Sequence, residues 1–111
     1  MEAHLLMPLL DANPPSLPFV SLLVSGGHTL IVKVDEGGRY TIMGETKDDA
    51  LGEAFDKTAK LLGIEFPGGP QIEVLAKKGN PDKYDLPKPI FNKGGCNLSF
   101  AGLKTAILKI A

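Results

Sequence analysis

Apolar side chains change their spacing as the chain proceeds, and each change marks an element. In residues 3–10 they fall at Leu5, Leu6, Leu9 and Leu10, a helical spacing that Asn13-Pro14-Pro15 then stops. Residues 1–14 therefore read as the tail of a helix whose head precedes Met1. From Pro18 the texture turns to β. Phe19-Val20-Ser21-Leu22-Leu23-Val24 is followed by Ser25-Gly26-Gly27 and by the apolar run of residues 28–34. After Asp35-Glu36-Gly37-Gly38, residues 39–43 alternate polar and apolar, as a partly exposed strand does. The pattern predicts an antiparallel meander of three strands within residues 18–43.

Helical spacing returns near Thr46. Leu51, Ala54, Phe55, Thr58, Ala59 and Leu62 form one face of a helix over about 47–62, ended by Gly63. Asp49, Gly52, Glu53, Asp56 and Lys60 take its other side. Pro67-Gly68-Gly69-Pro70 opens a shorter helix over about 71–78, closed by Gly79. A connection rich in Pro and Lys leads to Lys93-Gly94-Gly95, and a last helix spans about 99–111. Both terminal helices look interrupted. That leaves Leu5 with Leu9 and Leu103 with Ile107 as open apolar faces, so self-association of the segment is expected.

Composition narrows the class. At 43% hydrophobic and 23% charged residues the chain is neither disordered nor collagen-like. A chain of 111 residues buries about two-thirds of its surface in one core. No apolar run approaches the roughly 20 residues of a membrane helix, so no membrane partner is expected. The single Cys96 excludes an internal disulfide framework and a Cys-built zinc site, which favours a reducing, cytoplasmic compartment. The net charge of -1 points at no partner, yet the charge is segregated. Residues 1–76 hold 5 basic and 11 acidic side chains, whereas residues 77–111 hold 7 Lys and 2 Asp.

Candidate chemistry gathers at glycines. Ser25-Gly26-Gly27-His28-Thr29 between two strands presents backbone N–H groups flanked by hydroxyls, a geometry that suits a phosphate; a plain hairpin turn is the alternative. Neither GxGxxG nor a Walker loop is present. Asp56, one turn after Gly52, can accept hydrogen bonds from sugar hydroxyls, and Gly68-Gly69 at a helix start can admit a ligand to its amides. The plainer reading makes Asp49, Glu53, Asp56 and Lys60 a solvated helix face. His4 and His28 are the two imidazoles, and they make no metal signature by themselves.

Taken together, five segments resemble the TsaD/Kae1/Qri7 family of tRNA N6-adenosine threonylcarbamoyltransferases, once described as O-sialoglycoprotein endopeptidases. They are Met1-Glu2-Ala3-His4-Leu5-Leu6, Leu23-Val24-Ser25-Gly26-Gly27-His28-Thr29, Gly52-Glu53-Ala54-Phe55-Asp56-Lys57, Pro67-Gly68-Gly69-Pro70 and Ser99-Phe100-Ala101-Gly102-Leu103-Lys104-Thr105. The match runs the length of the chain, and the bacterial or mitochondrial branch fits best.

The resemblance implies an α/β fold of the actin-like ATPase type (ASKHA), shared with Hsp70 and sugar kinases, in which two lobes clasp a nucleotide. Residues 1–14 would then end a helix of the first lobe, and 15–111 would open the second with its β-meander followed by helices. It implies transfer of the threonylcarbamoyl group of threonylcarbamoyl-adenylate to N6 of adenosine 37 in tRNAs reading codons that begin with A. TsaB- and TsaE-like partner proteins are implied if the source is bacterial, and the implied location is the cytoplasm or, in a eukaryote, mitochondria. Leu23, Val24, Ser25, Gly26 and Gly27 match the family's ligand-binding strand and turn; Asp56, Gly69 and Glu73 match its ribose and adenine contacts. Glu73 stands where many members have Asp. His4 matches the second histidine of an HxxxH motif for one divalent iron or zinc ion, with Ala3 replacing the usual Gly. The first histidine of that motif would precede Met1, so the metal site is expected to be incomplete. No catalytic residue is identifiable within the segment, which is expected to be inactive alone. Two rival readings remain, a metal-dependent glycoprotease, which would want an HExxH absent here, and a non-catalytic Hsp70-like nucleotide-binding module.

Overall fold

The structure, a computed structural model, describes residues 2–90 and 93–111; Met1, which opens the expected helix tail, lies outside them. The first helix, α1, is short, Glu2–Leu6, and tightens into a 3-10 turn over Met7–Leu10. Pro8 explains the change. It has no N–H to donate to the carbonyl one α-turn earlier, so the chain cannot continue as a regular α-helix.

Three strands follow, β1 (Phe19–Val24), β2 (Thr29–Val34) and β3 (Tyr40–Glu45), in the order β1-β2-β3. Both pairings are antiparallel, with Phe19 opposite Val34 and Val24 opposite Thr29. Strand alternation then puts Phe19 and Leu23 on the same face as Leu30, Val32 and Val34. Leu5 from α1 closes this core and is only 1% exposed. The expected open face at Leu5 is therefore not there, because α1 folds back onto the sheet. The opposite face of β1 is open instead, and Val20 and Leu22 are each 61% exposed.

The third strand is longer than the alternation of residues 39–43 indicates. A bulge between Ile31 and Val32 absorbs one residue of β3, and Gly44 sits where Cys96 crosses, with no room for a Cβ. Beyond it Thr46 and Leu98 form a parallel bridge.

Helix α2 (Leu51–Leu61) starts four residues later than the apolar spacing suggests. The Thr46 hydroxyl donates to the Asp49 carbonyl at 2.6 Å and the Asp48 carboxylate accepts the Asp49 amide at 2.8 Å, local bonds that compete with a helix. Helix α3 (Gly68–Ala76) starts three residues early. Pro70 fits inside its first turn, where an N–H would have no helical partner. A buried Gly68 lies against Ala59, and these small residues bring α2 and α3 together. The last helix, α4 (Ala101–Ile110), packs beside α2. Among the described residues no helix is long and apolar enough to cross a membrane.

Candidate functional site

The β1–β2 turn is built from Ser25 outward. Its hydroxyl oxygen accepts the amides of Gly27 at 3.3 Å and His28 at 2.9 Å, and its own amide donates to the His28 carbonyl at 2.8 Å. Gly26 and Gly27 stay exposed, with nothing near the positions their Cβ atoms would take. Helix α2 begins against this turn. Ala50 offers no capping side chain, and the first two helical amides are taken from across the hairpin. Leu51 donates to the Thr29 hydroxyl at 2.8 Å and Gly52 to the Ser25 carbonyl at 3.2 Å. Thr29 is 2% exposed, so its hydroxyl is a structural cap rather than a ligand donor. A Cβ on Gly52 would stand 2.9 Å from the Cα and N of Gly26. Only glycine lets the helix approach this closely.

One helical turn further, Asp56 Oδ1 accepts the Gly68 amide at 3.1 Å and so fixes the start of α3. Asp56 is thus no member of a merely solvated face; it joins α2 to α3 at the glycine pair. A carboxylate has acceptor capacity for several donors, so this bond leaves room for a ligand hydroxyl. Gly69 is half-buried, and Glu73 lies one turn along the same face of α3, exposed, with Lys77 at 3.8 Å. Of the strand residues, Leu23 packs against the core while Val24 points to the open face. The sequence-derived positions thus fall into two groups, the 23–27 turn and the Asp56–Gly69–Glu73 corner, both attached to α2.

The main polar construction of the segment was not singled out by sequence. Asp48 accepts the amides of Phe100 at 2.8 Å and Ala101 at 3.1 Å through Oδ1, and the Ser99 hydroxyl at 2.6 Å through Oδ2. It therefore caps α4 from fifty residues away. Burial opposes its charge, but the bonds from Phe100, Ser99, Ala101 and Asp49 together hold its carboxyl below the usual range. Asp49, 13% exposed, takes Lys104 at 2.7 Å and Lys57 at 3.1 Å. The hydrogen bond from Lys104, then that from Lys57, brings its carboxyl down to about 2, and Lys57 is raised in turn. Adjacent acids before a helix were the only signal, and that signal reads equally well as solvated surface. Between α2, α3 and α4 this clamp leaves an apolar groove of about 120 Å³ lined by Leu51, Phe55, Ile72, Phe100, Leu103 and Ile107.

His4 is exposed on α1. Among the described residues no three His, Cys, Asp or Glu side chains gather as metal ligands. These residues therefore do not form by themselves the iron or zinc centre that the resemblance implies.

The β-meander whose glycine turn abuts the start of a helix, with a second glycine pair pinned to that helix, agrees with the α/β fold of the actin-like ATPase type that the resemblance implies. The TsaD family model, described as tRNA N6-adenosine threonylcarbamoyltransferase, matches residues 1–111, and the chain belongs to that family. Relatives carrying the same description include proteins of Pelagibacter ubique (67% identical over 111 residues), Ralstonia pickettii (60% over 108) and Variovorax paradoxus (58% over 108). The matches cover 100%, 97% and 97% of this chain, which spans only 31% of the length of each relative.

Proposed function

We propose that the protein carrying this segment is a tRNA N6-adenosine threonylcarbamoyltransferase, with residues 1–14 ending a helix of its first lobe and 15–111 opening the second. The observation that carries the reading is the family match along residues 1–111. In the reaction, N6 of the tRNA adenosine attacks the carbamoyl carbonyl of threonylcarbamoyl-adenylate. The N6–C bond forms, the bond from that carbon to the adenylate phosphate oxygen breaks, AMP leaves with the electron pair, and N6 loses a proton.

Residues of this segment bind and orient the adenylate in that scheme. Gly26 and Gly27 present backbone to its phosphate. Ser25 already holds the amides of Gly27 and His28, so a phosphate oxygen would exchange with the Ser25 hydroxyl at those donors. Leu23 and Val24 contribute backbone, since the Leu23 side chain belongs to the core. Asp56 accepts a ribose hydroxyl while keeping its bond to Gly68, and Gly69 with Glu73 flanks the base. Fixing the leaving group in this way lowers the entropic part of the barrier. TsaB- and TsaE-like proteins act with the enzyme in the cytoplasm.

The test uses the full-length protein with its partner proteins, unmodified tRNA, threonylcarbamoyl-adenylate and a divalent metal. Nucleoside mass spectrometry should detect threonylcarbamoyladenosine. Unmodified adenosine after prolonged incubation, from protein of native stability, would contradict the reading.

A further inference from the structure

Two kinds of lysine can be told apart in the chain's last third. Lys104 is held in the Asp49 clamp at 2.7 Å, and its role is internal. The other kind lies on the segment that leaves α3, where Lys77, Lys78 and Lys83 are exposed and the acids are Asp82 and Asp85. Lys77 meets Glu73 at 3.8 Å with both side chains more than two-thirds exposed, a pairing that salt and a competing anion displace easily. An aromatic ring is set among these lysines. Tyr84 is 51% exposed, and the Lys83 ammonium lies 5.3 Å from its ring centroid. The backbone here is ordered by its own turn, in which Asn80 accepts the amides of Asp82 at 3.0 Å and Lys83 at 3.3 Å.

We propose that residues 77–88 form an RNA-contact surface, with Lys77, Lys78 and Lys83 taking backbone phosphates and Tyr84 stacking on an unpaired base. The inference rests on the transferase reading, which supplies the RNA. Its geometric support is α3. That helix starts at the amide held by Asp56 and ends at Ala76, just before Lys77, so nine residues of helix set the near end of the surface roughly 14 Å from the candidate ligand corner. Cations interleaved with an exposed ring are what a single-stranded or looped RNA recognises. An acidic protein is the other class of partner such a surface could attract. Tyr84 favours RNA, because a ring beside a cation stacks on any base without side-chain complementarity.

The experiment measures the affinity of the full-length protein for a substrate tRNA over a series of salt concentrations. Each neutralised phosphate contributes about 0.7–0.9 to the slope of log affinity against log salt, so Lys77→Gln, Lys78→Gln and Lys83→Gln together should reduce its magnitude by about two. Tyr84→Ala should weaken binding roughly fivefold or more and leave the slope as it was. Lys104→Gln is the contrast, expected to lower the melting temperature. A triple variant with the parental slope and affinity would overturn the surface and point to a protein partner. Parental protein that bound no tRNA at low salt would overturn the transferase reading with it.

Discussion

Gly52 has a backbone on three sides of its missing side chain, with Gly26 and the Ser25 carbonyl all 2.9 Å from where a Cβ would be. All three are backbone atoms, which cannot swing aside as the end of a side chain can. Gly52→Ala should therefore push the glycine turn off the start of α2, costing about 1–3 kcal/mol in the full-length protein and weakening adenylate binding, both measurable by thermal melting and calorimetry. Asp56→Ala acts on two things at once. It frees the Gly68 amide, a loss of about 1 kcal/mol of stability, and removes the acceptor assigned to ribose, roughly tenfold or more in adenylate affinity. Unchanged affinity with lowered melting temperature would leave Asp56 only its role at the start of α3. Asp49 bears on acid stability. Its folded carboxyl is depressed to about 2, so its stabilising effect is complete above the ordinary carboxylate value of about 3.9 and disappears as pH falls toward 2. Asp49→Asn should remove on the order of 1 kcal/mol at neutral pH, because Lys57 is half exposed and screened, and should flatten the stability loss between about pH 4 and 2. An acid unfolding curve with the parental slope would show that Asp49 contributes nothing there.

At the scale of elements, Asp48 decides where α4 sits. Asp48→Ala would remove the acceptor of two α4 amides and of the Ser99 hydroxyl, so α4 should loosen first, seen as hydrogen exchange accelerated in residues 101–110 with β1 and β2 unchanged. Uniform exchange throughout would mean that α4 is held by its apolar face alone. The strands and α2 are legible from sequence because their determinants are local, in the apolar runs at residues 19–24 and 28–34, the alternation at 39–43 and a 3.6-residue stripe at 51–62. The same holds for the glycine turn and the glycine pair of the candidate site. What escaped depends on residues distant in the chain. Nothing in the order of residues says that Asp48 meets Ser99, that Thr29 caps α2, or that Gly44 makes way for Cys96. The burial of Leu5 escapes for the same reason, since it depends on α1 folding back over β2.

The whole molecule exposes 8035 Å², whereas a compact monomer of 11.8 kDa would expose about 5,900 Å². Its radius of gyration of 16.4 Å likewise exceeds the roughly 13 Å of a compact chain of this length. Large apolar side chains are among what is exposed, including the outer face of β1 at Val20, Leu22 and Val24. The 111 residues alone should therefore self-associate, and light scattering should give a dimer or larger species; a monomer at high concentration would contradict this. Such openness accords with a segment that spans 31% of the length of its relatives. In the proposed function the 25–27 turn and the Asp56–Gly69 corner, joined through α2, are one adenylate site. A crystal structure of the full-length protein with threonylcarbamoyl-adenylate tests it most directly. The phosphate should lie within hydrogen-bond reach of the Gly26 or Gly27 amide and a ribose hydroxyl on Asp56; an adenylate bound with both groups away from α2 would rule out a single site.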